Sequence, residues 1–154
     1  MAIPDLTGAN LKYHQDKIGA LTPETQRIWG SMTVERMMRH LRTTIELTMN
    51  GDSNAKAAMP PVVRNVVGFL LFDVFTNWPK GKFKAPPNLL SDDVGSFEDE
   101  QRQLLDVCAA FAKKCDANPT EKMVHPLTGK TNLKRMAHLH GVHMNHHYKQ
   151  FGLV

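Results

Sequence analysis

The stretch from Ser96 to Ala117, SFEDEQRQLLDVCAAFAKKCDA, decides the fold class. Ser96 followed three residues later by Asp99 is a helix-capping signal. Beyond it Leu104, Cys108, Phe111 and Cys115 step by four, three and four, which places them on one face of a helix and makes the seam of a bundle. Asn118-Pro119 closes the run. The two cysteines lie seven residues apart on this helix, separated by about 10 Å of rise. That separation forbids a disulfide between them and keeps them out of one tetrahedral metal site. They read as small core residues.

Working outward, His125-Pro126-Leu127-Thr128-Gly129 reads as a loop leading into a last helix from about Thr131 to Gln150. Upstream, Thr33 caps a second strongly patterned helix in which Val34, Met37, Met38, Leu41, Ile45 and Met49 recur at helical spacing, until Asn50-Gly51-Asp52 stops it. After Pro60-Pro61 the pairs Val62/Val63, Val66/Val67, Leu70/Leu71 and Val74/Phe75 repeat every four residues, which predicts a buried helix in place of a strand. Lys80 to Asp93 reads as a proline-containing connection. Asp5 to Ala20 is a weakly patterned helix, and Thr22-Pro23-Glu24 opens a short turn. Helices with few strand signals and short connections predict an all-α, antiparallel four-helix bundle with an additional short helix or turn, one domain over residues 1–154.

Composition excludes several classes. A chain of 154 residues with 42% apolar and 22% charged residues is neither a disordered tail, a collagen-like repeat nor a membrane bundle. The formal charge of +4 is a mild excess. Its densest runs, Arg36/Arg39/Arg42 and Lys80/Lys82/Lys84, accompany no base-reading motif, so nucleic acid is not an expected partner. The most apolar run, Val62 to Phe75, is too short to span a bilayer and contains Arg64 and Asp73. With no positively charged leader ahead of an apolar segment, a cytoplasmic, reduced protein is expected, with no membrane partner.

Histidine is the unusual component. Five of the eight histidines (His138, His140, His143, His146 and His147) crowd into the last helix. His140, His143, Met144 and His147 share one face there, while His138 and His146 point elsewhere. His143 and His147, one turn apart at about 6 Å of rise, can converge on one divalent ion. A third ligand has to come from another helix. His14 lies in the weak first helix and His125 in a loop beside a proline, which leaves His40 as the histidine interior to another well-patterned helix. His40 sits at the edge of the apolar stripe near Met37, Thr44 and Leu47. That position suits a ligand facing a cleft between helices, and equally an exposed or hydrogen-bonded histidine.

The segment Trp29-Gly30-Ser31-Met32-Thr33-Val34-Glu35-Arg36-Met37-Met38-Arg39-His40 resembles the W-G-x-M-[ST]-x-x-x-M-x-x-H motif of an uncharacterised branch of the DinB/YfiT-like superfamily. His125-Pro126-Leu127-Thr128-Gly129 and His143 to Gly152 resemble the same branch's H-P-x-x-G and H-x-x-H-H-x-x-Q-F-G patterns. The resemblance covers about Trp29 to Gly152. It implies a four-helix bundle with a three-histidine site made by His40, His143 and His147. It also implies zinc or nickel as the metal, and thiol S-transfer with low-molecular-weight thiols such as bacillithiol or mycothiol on a small electrophilic substrate. Homodimers are implied as well.

Three neutral imidazoles leave an ion its full charge and at least one open position, as in catalytic zinc sites. A bound thiol or water is acidified there. Thiol transfer and hydrolysis therefore both fit, and the residues do not choose between them. A non-enzymatic dimeric stress-response or interaction module with a structural metal is the contrasting reading. Gln150 and His140 are expected to line or support the site. His146 is expected to pack or cap, Trp29 to plug the bundle end, and Met32, Met37 and Met38 to fill the core; His125 has no assigned role.

Overall fold

A computed structural model describes residues 3–50, 60–70, 93–125 and 129–154. A 3-10 turn (Gly8–Asn10) leads into helix α1 (Leu11–Gly19), followed by α2 (Val34–Met49), α3 (Pro61–Phe69) and α4 (Phe97–Ala117). Strands β1 (Lys122–His125) and β2 (Gly129–Asn132) come next, then α5 (Leu133–Gln150). The Gly51-Asp52 stop, residues 71–75 of the apolar run, the connection from Lys80 to residue 92 and Pro126-Leu127-Thr128 lie outside the described residues.

The strands correct the expected all-α four-helix bundle. Among the described residues, five helices accompany a two-stranded antiparallel sheet, in which Lys122 faces Asn132, Met123 faces Thr131, Val124 faces Lys130 and His125 faces Gly129. The segment read as a loop is thus a hairpin. Each strand is only four residues long, too short for alternation to stand out against a proline-containing surround. Gly129 takes a φ of +76°, which a side chain would resist. Because Thr131 and Asn132 pair in the sheet, α5 begins at Leu133, two residues later than predicted. Asn132 caps it by accepting from the Arg135 amide at 2.9 Å.

The caps read from sequence form. The Thr33 hydroxyl accepts from the Arg36 amide and the Ser96 hydroxyl from the Asp99 amide. The α4 seam is buried: Leu104, Cys108 and Phe111 have no exposed surface and Cys115 has almost none. They join Met37, Met38, Leu41 and Ile45 of α2 and Met136, Met144 and Tyr148 of α5 in one core. Both cysteines are free, and burial pushes the Cys108 thiol up to about 12, which keeps it a thiol. The α3 expectation holds for the helix but not for its burial. Val62, Val63, Val66 and Phe69 are exposed, since a four-residue repeat marks a helix without saying which face is covered.

Two polar ties set how the helices sit. Glu100 of α4, almost fully buried, lies 3.5 Å from both Arg39 and Arg42 of α2 and accepts from the Gly95 amide at 2.9 Å. The N-terminal segment lies along α5, where the Leu6 amide donates to the Ala137 carbonyl at 2.9 Å and Leu6 is wholly buried. Among the described residues no helix is long and apolar enough to cross a membrane.

Gly141 marks how closely that segment approaches. A Cβ there would stand 2.9 Å from Asp5 Cα and closer still to the Pro4 carbonyl oxygen, both backbone atoms that cannot swing aside. In an open helix, replacing glycine by alanine stabilises by about 1 kcal/mol. At Gly141 the sign reverses. Gly141→Ala is expected to destabilise by about 1–3 kcal/mol, the usual cost of overpacking. Gly19→Ala, with nothing within 4 Å of the added carbon, is expected to be neutral or stabilising. Thermal melting of the two variants checks this; a Gly141→Ala protein that melts above wild type would show that the N-terminal segment is not seated there.

Candidate metal centre

Helix α5 carries His143 and His147 one turn apart, and α2 brings His40 to meet them. The Nε2 atoms of His40 and His143 lie 3.1 Å apart and those of His147 and His143 lie 3.2 Å apart. The three rings stand at centroid distances of 4.9, 5.0 and 5.4 Å, and one ring nitrogen from each falls within 4.8 Å of the other two. All three residues are buried. This cluster could hold a metal ion.

The spacing can be compared with coordination geometry. Metal–nitrogen bonds of about 2.0–2.1 Å at tetrahedral angles place neighbouring nitrogens about 3.3 Å apart. The two short edges are close to that value. A single proton on His143 Nε2 can satisfy only one of its two neighbours, whereas one cation satisfies all three lone pairs. Burial holds the His147 imidazole down to about 3, with the nearby His40 adding to the effect. Burial, and then the charges of His40 and His147, hold His143 well below the ordinary value. Both are therefore neutral at neutral pH, as metal ligands must be.

Gln150 orients one of the three imidazoles. His147 Nδ1–H donates to Gln150 Oε1 at 2.7 Å, and the amide nitrogen of Gln150 donates to the Trp29 carbonyl at 2.9 Å. The second bond fixes which end of the amide accepts, so the proton sits on Nδ1 of His147 and the lone pair of Nε2 points into the cluster. Room for the amide comes from Gly30, at φ +81°, where a Cβ would stand 2.5 Å from Gln150 Nε2. The Ile28 amide also donates to the Gln150 carbonyl at 2.7 Å, so the loop is fastened at two points. The Trp29-Gly30 pair stands in the motif, but its carbonyl acceptor and its missing side chain carry no sign in that motif of belonging to the site. A glycine just ahead of a capping residue was the available signal.

The other histidines separate. His140 turns toward α2, where its Nε2 donates to the Thr48 hydroxyl at 3.0 Å, and its ring meets Phe111 edge-on at 5.0 Å. It stands outside the three-nitrogen cluster. His138 pairs with Asp5 at 2.8 Å, and His14 is buried against the Tyr148 hydroxyl at 3.1 Å. His146 meets Trp29 edge-on at 6.1 Å. His125 is buried on β1. Cys108 and Cys115 take no part.

Two measurable consequences arise from the site. Replacing a group that orients a ligand typically weakens metal binding 10–100-fold. Gln150→Ala is therefore expected to retain the fold and to bind a divalent ion about 10–100-fold more weakly than wild type in a competition titration with a chromophoric chelator. Unchanged affinity would remove Gln150 from the site.

The second concerns acid. Burial lowers His125 to about 4 and His140 to about 3 in the folded chain, against 6.5 for a free imidazole. Below about pH 6.5 the unfolded chain takes up protons that the folded chain refuses, so stability is lost as pH falls from there toward the folded values. The melting temperature of the metal-free protein should be level above neutrality and decline steadily between about pH 6.5 and 4. His125→Asn should make that decline shallower. A melting temperature that stays level across this range would contradict the buried, neutral histidines.

A family model described as a protein of unknown function (DUF1569) matches residues 3–152. No curated protein and no solved structure matches the chain.

Proposed function

We propose that this chain, which belongs to the DUF1569 family, is a divalent-metal-dependent enzyme that binds zinc or nickel through His40, His143 and His147 and activates a small nucleophile there. The observation that carries the reading is the convergence of three buried imidazole nitrogens at 3.1 and 3.2 Å, joined by no carboxylate or thiolate among the described residues. A structural zinc site is usually closed by four protein ligands, often cysteines. Three neutral ligands suit a site that keeps a position for a reactant.

When bound, the ion would supply Lewis acidity, lowering the pKa of a thiol or water in that position. The chain's own residues prepare for it. Burial keeps His143 and His147 unprotonated. Gln150 and the Trp29 carbonyl hold the His147 tautomer that exposes Nε2. Since no ligand carries negative charge, an anionic reactant is favoured to complete the shell. The resemblance of Trp29 to His40 and of His143 to Gly152 to DinB/YfiT-like motifs favours a low-molecular-weight thiol as that reactant and a small electrophile as its acceptor. Hydrolysis would use the same position for water.

Elemental analysis of untagged protein, wild type and His40→Ala, His143→Ala and His147→Ala, tests the site. Wild type should carry about one divalent ion per chain, and each variant should lose it. Absence of stoichiometric metal in wild type, or its retention in all three variants, overturns the assignment. With cobalt in place of the native ion, addition of a small thiol should produce a thiolate-to-metal absorption band. A cobalt spectrum that neither thiol nor a change of pH alters would mean a closed, structural site.

A further inference from the structure

The inner face of the hairpin carries polar atoms that meet no hydrogen-bond partner among the described residues. Because His125 faces Gly129 and Met123 faces Thr131 in the ladder, alternation turns these four residues to one side of the sheet. His125, Gly129 and Thr131 are buried there. Helix α3 packs against β2, and its Arg64 lies across Gly129, with Nε 2.7 Å from where a Cβ would stand. Any side chain at 129 would displace the guanidinium.

Arg64 Nε and the Thr131 hydroxyl are both shut off from solvent with no hydrogen-bond partner among the described residues. Thr131 as a whole is only 8% exposed. Buried polar groups left unmet are rare in native structures, and each one carries a desolvation cost. Two on the same face, one from a cation and one from a hydroxyl donor, describe the donor half of an anion site. The Nε–H edge of a guanidinium, taken with the neighbouring Nη–H, is a fork that matches two oxygens of a carboxylate or phosphate.

The hairpin face adjoins the histidine cluster. His125 is close enough to His140 that charge on one disfavours charge on the other, and His140 stands one turn before the ligand His143 on α5. We propose that Arg64 and Thr131, walled by His125, form a subsite for the oxyanion end of a small substrate, a carboxylate or phosphate group, whose reacting end is presented to the centre made by His40, His143 and His147. Anion binding at Arg64 stands on the hairpin and α3 alone. Its service to the metal centre rests on the function proposed above.

The test is a calorimetric titration of the full chain, metal-free and metal-loaded, with inorganic phosphate and separately with acetate. NMR of the Arg64 Nε–H resonance runs in parallel. One or both anions should bind saturably to the metal-free chain and shift that resonance, and the arm that responds identifies the group. Arg64→Lys, which keeps the charge but loses the fork, should weaken binding roughly tenfold or more, and Thr131→Val several-fold. Both variants should retain metal at the wild-type level. An unmoved Arg64 resonance, or wild-type anion affinity in both variants, overturns the subsite. Binding that appears only with metal and survives Arg64→Lys places the anion on the ion and overturns it equally. Loss of metal from wild type would sink the metal reading while leaving an Arg64-dependent anion site standing.

Discussion

Helix α5 has to be buried on nearly every side while carrying histidine, asparagine and glutamine, and much of the structure is arranged around that requirement. Thirteen of its eighteen residues are buried, including His140, His143, Asn145, His147 and Gln150. Polar groups withdrawn from water are costly unless partnered. The partners come from other parts of the chain: Thr48 of α2 for His140, the Trp29 carbonyl for Gln150, and His14 of α1 for Tyr148. Each bond also fixes the position of an element relative to α5. His143 and His147 meet His40, and the three imidazoles converge on one another at their Nε2 atoms.

The same requirement explains what the sequence could and could not disclose. Periodicity identified α2 and α4 because their apolar residues face one core and their caps are local: Thr33 to Arg36 and Ser96 to Asp99 are three residues apart. The hairpin was invisible to that reading. Its four-residue strands are specified by pairing across a turn and by Gly129, and pairing is a property of two segments at once. In α5, helical geometry selected His143 and His147 from five clustered histidines. His40 could be reached only by elimination and resemblance, since nothing within α2 distinguishes a ligand from a hydrogen-bonded histidine at the edge of a stripe. Gln150 could be suspected from spacing. Its hold on Trp29 could not, because that bond joins residues 121 apart.

Burial also shapes the chemistry of the cluster. An exposed histidine pair would be partly protonated near neutrality and would compete with itself for protons. Within the protein, desolvation settles the contest in favour of the neutral form, so ligand lone pairs are available at the pH where a cell would use them. The cost appears in the absence of a cation. Nitrogens at 3.1 and 3.2 Å cannot all be bridged by the protons that neutral imidazoles carry, one of which Gln150 already holds on Nδ1 of His147. One divalent ion could meet the three converging nitrogens at once.

Such an ion would act on the fold as well as on the site. A ligand that binds only the folded state stabilises it in proportion to the logarithm of its concentration over its dissociation constant. Here the three imidazoles that could hold an ion come from α2 and α5, held together by contacts that run through α4 and the N-terminal segment. Bringing His40 against His143 and His147 requires the packing of Leu41, Ile45, Phe111 and Met144 to be complete, so affinity for the ion and closure of the core are parts of one equilibrium. Acid weakens both through the same atoms. Protons would compete with a bound ion for His143 and His147, and the charged imidazoles they create are the species that the buried helix least tolerates. Were an ion bound, it and the tertiary packing would be lost together as pH falls, because parting the helices leaves only the His143–His147 pair of α5 out of the three imidazoles.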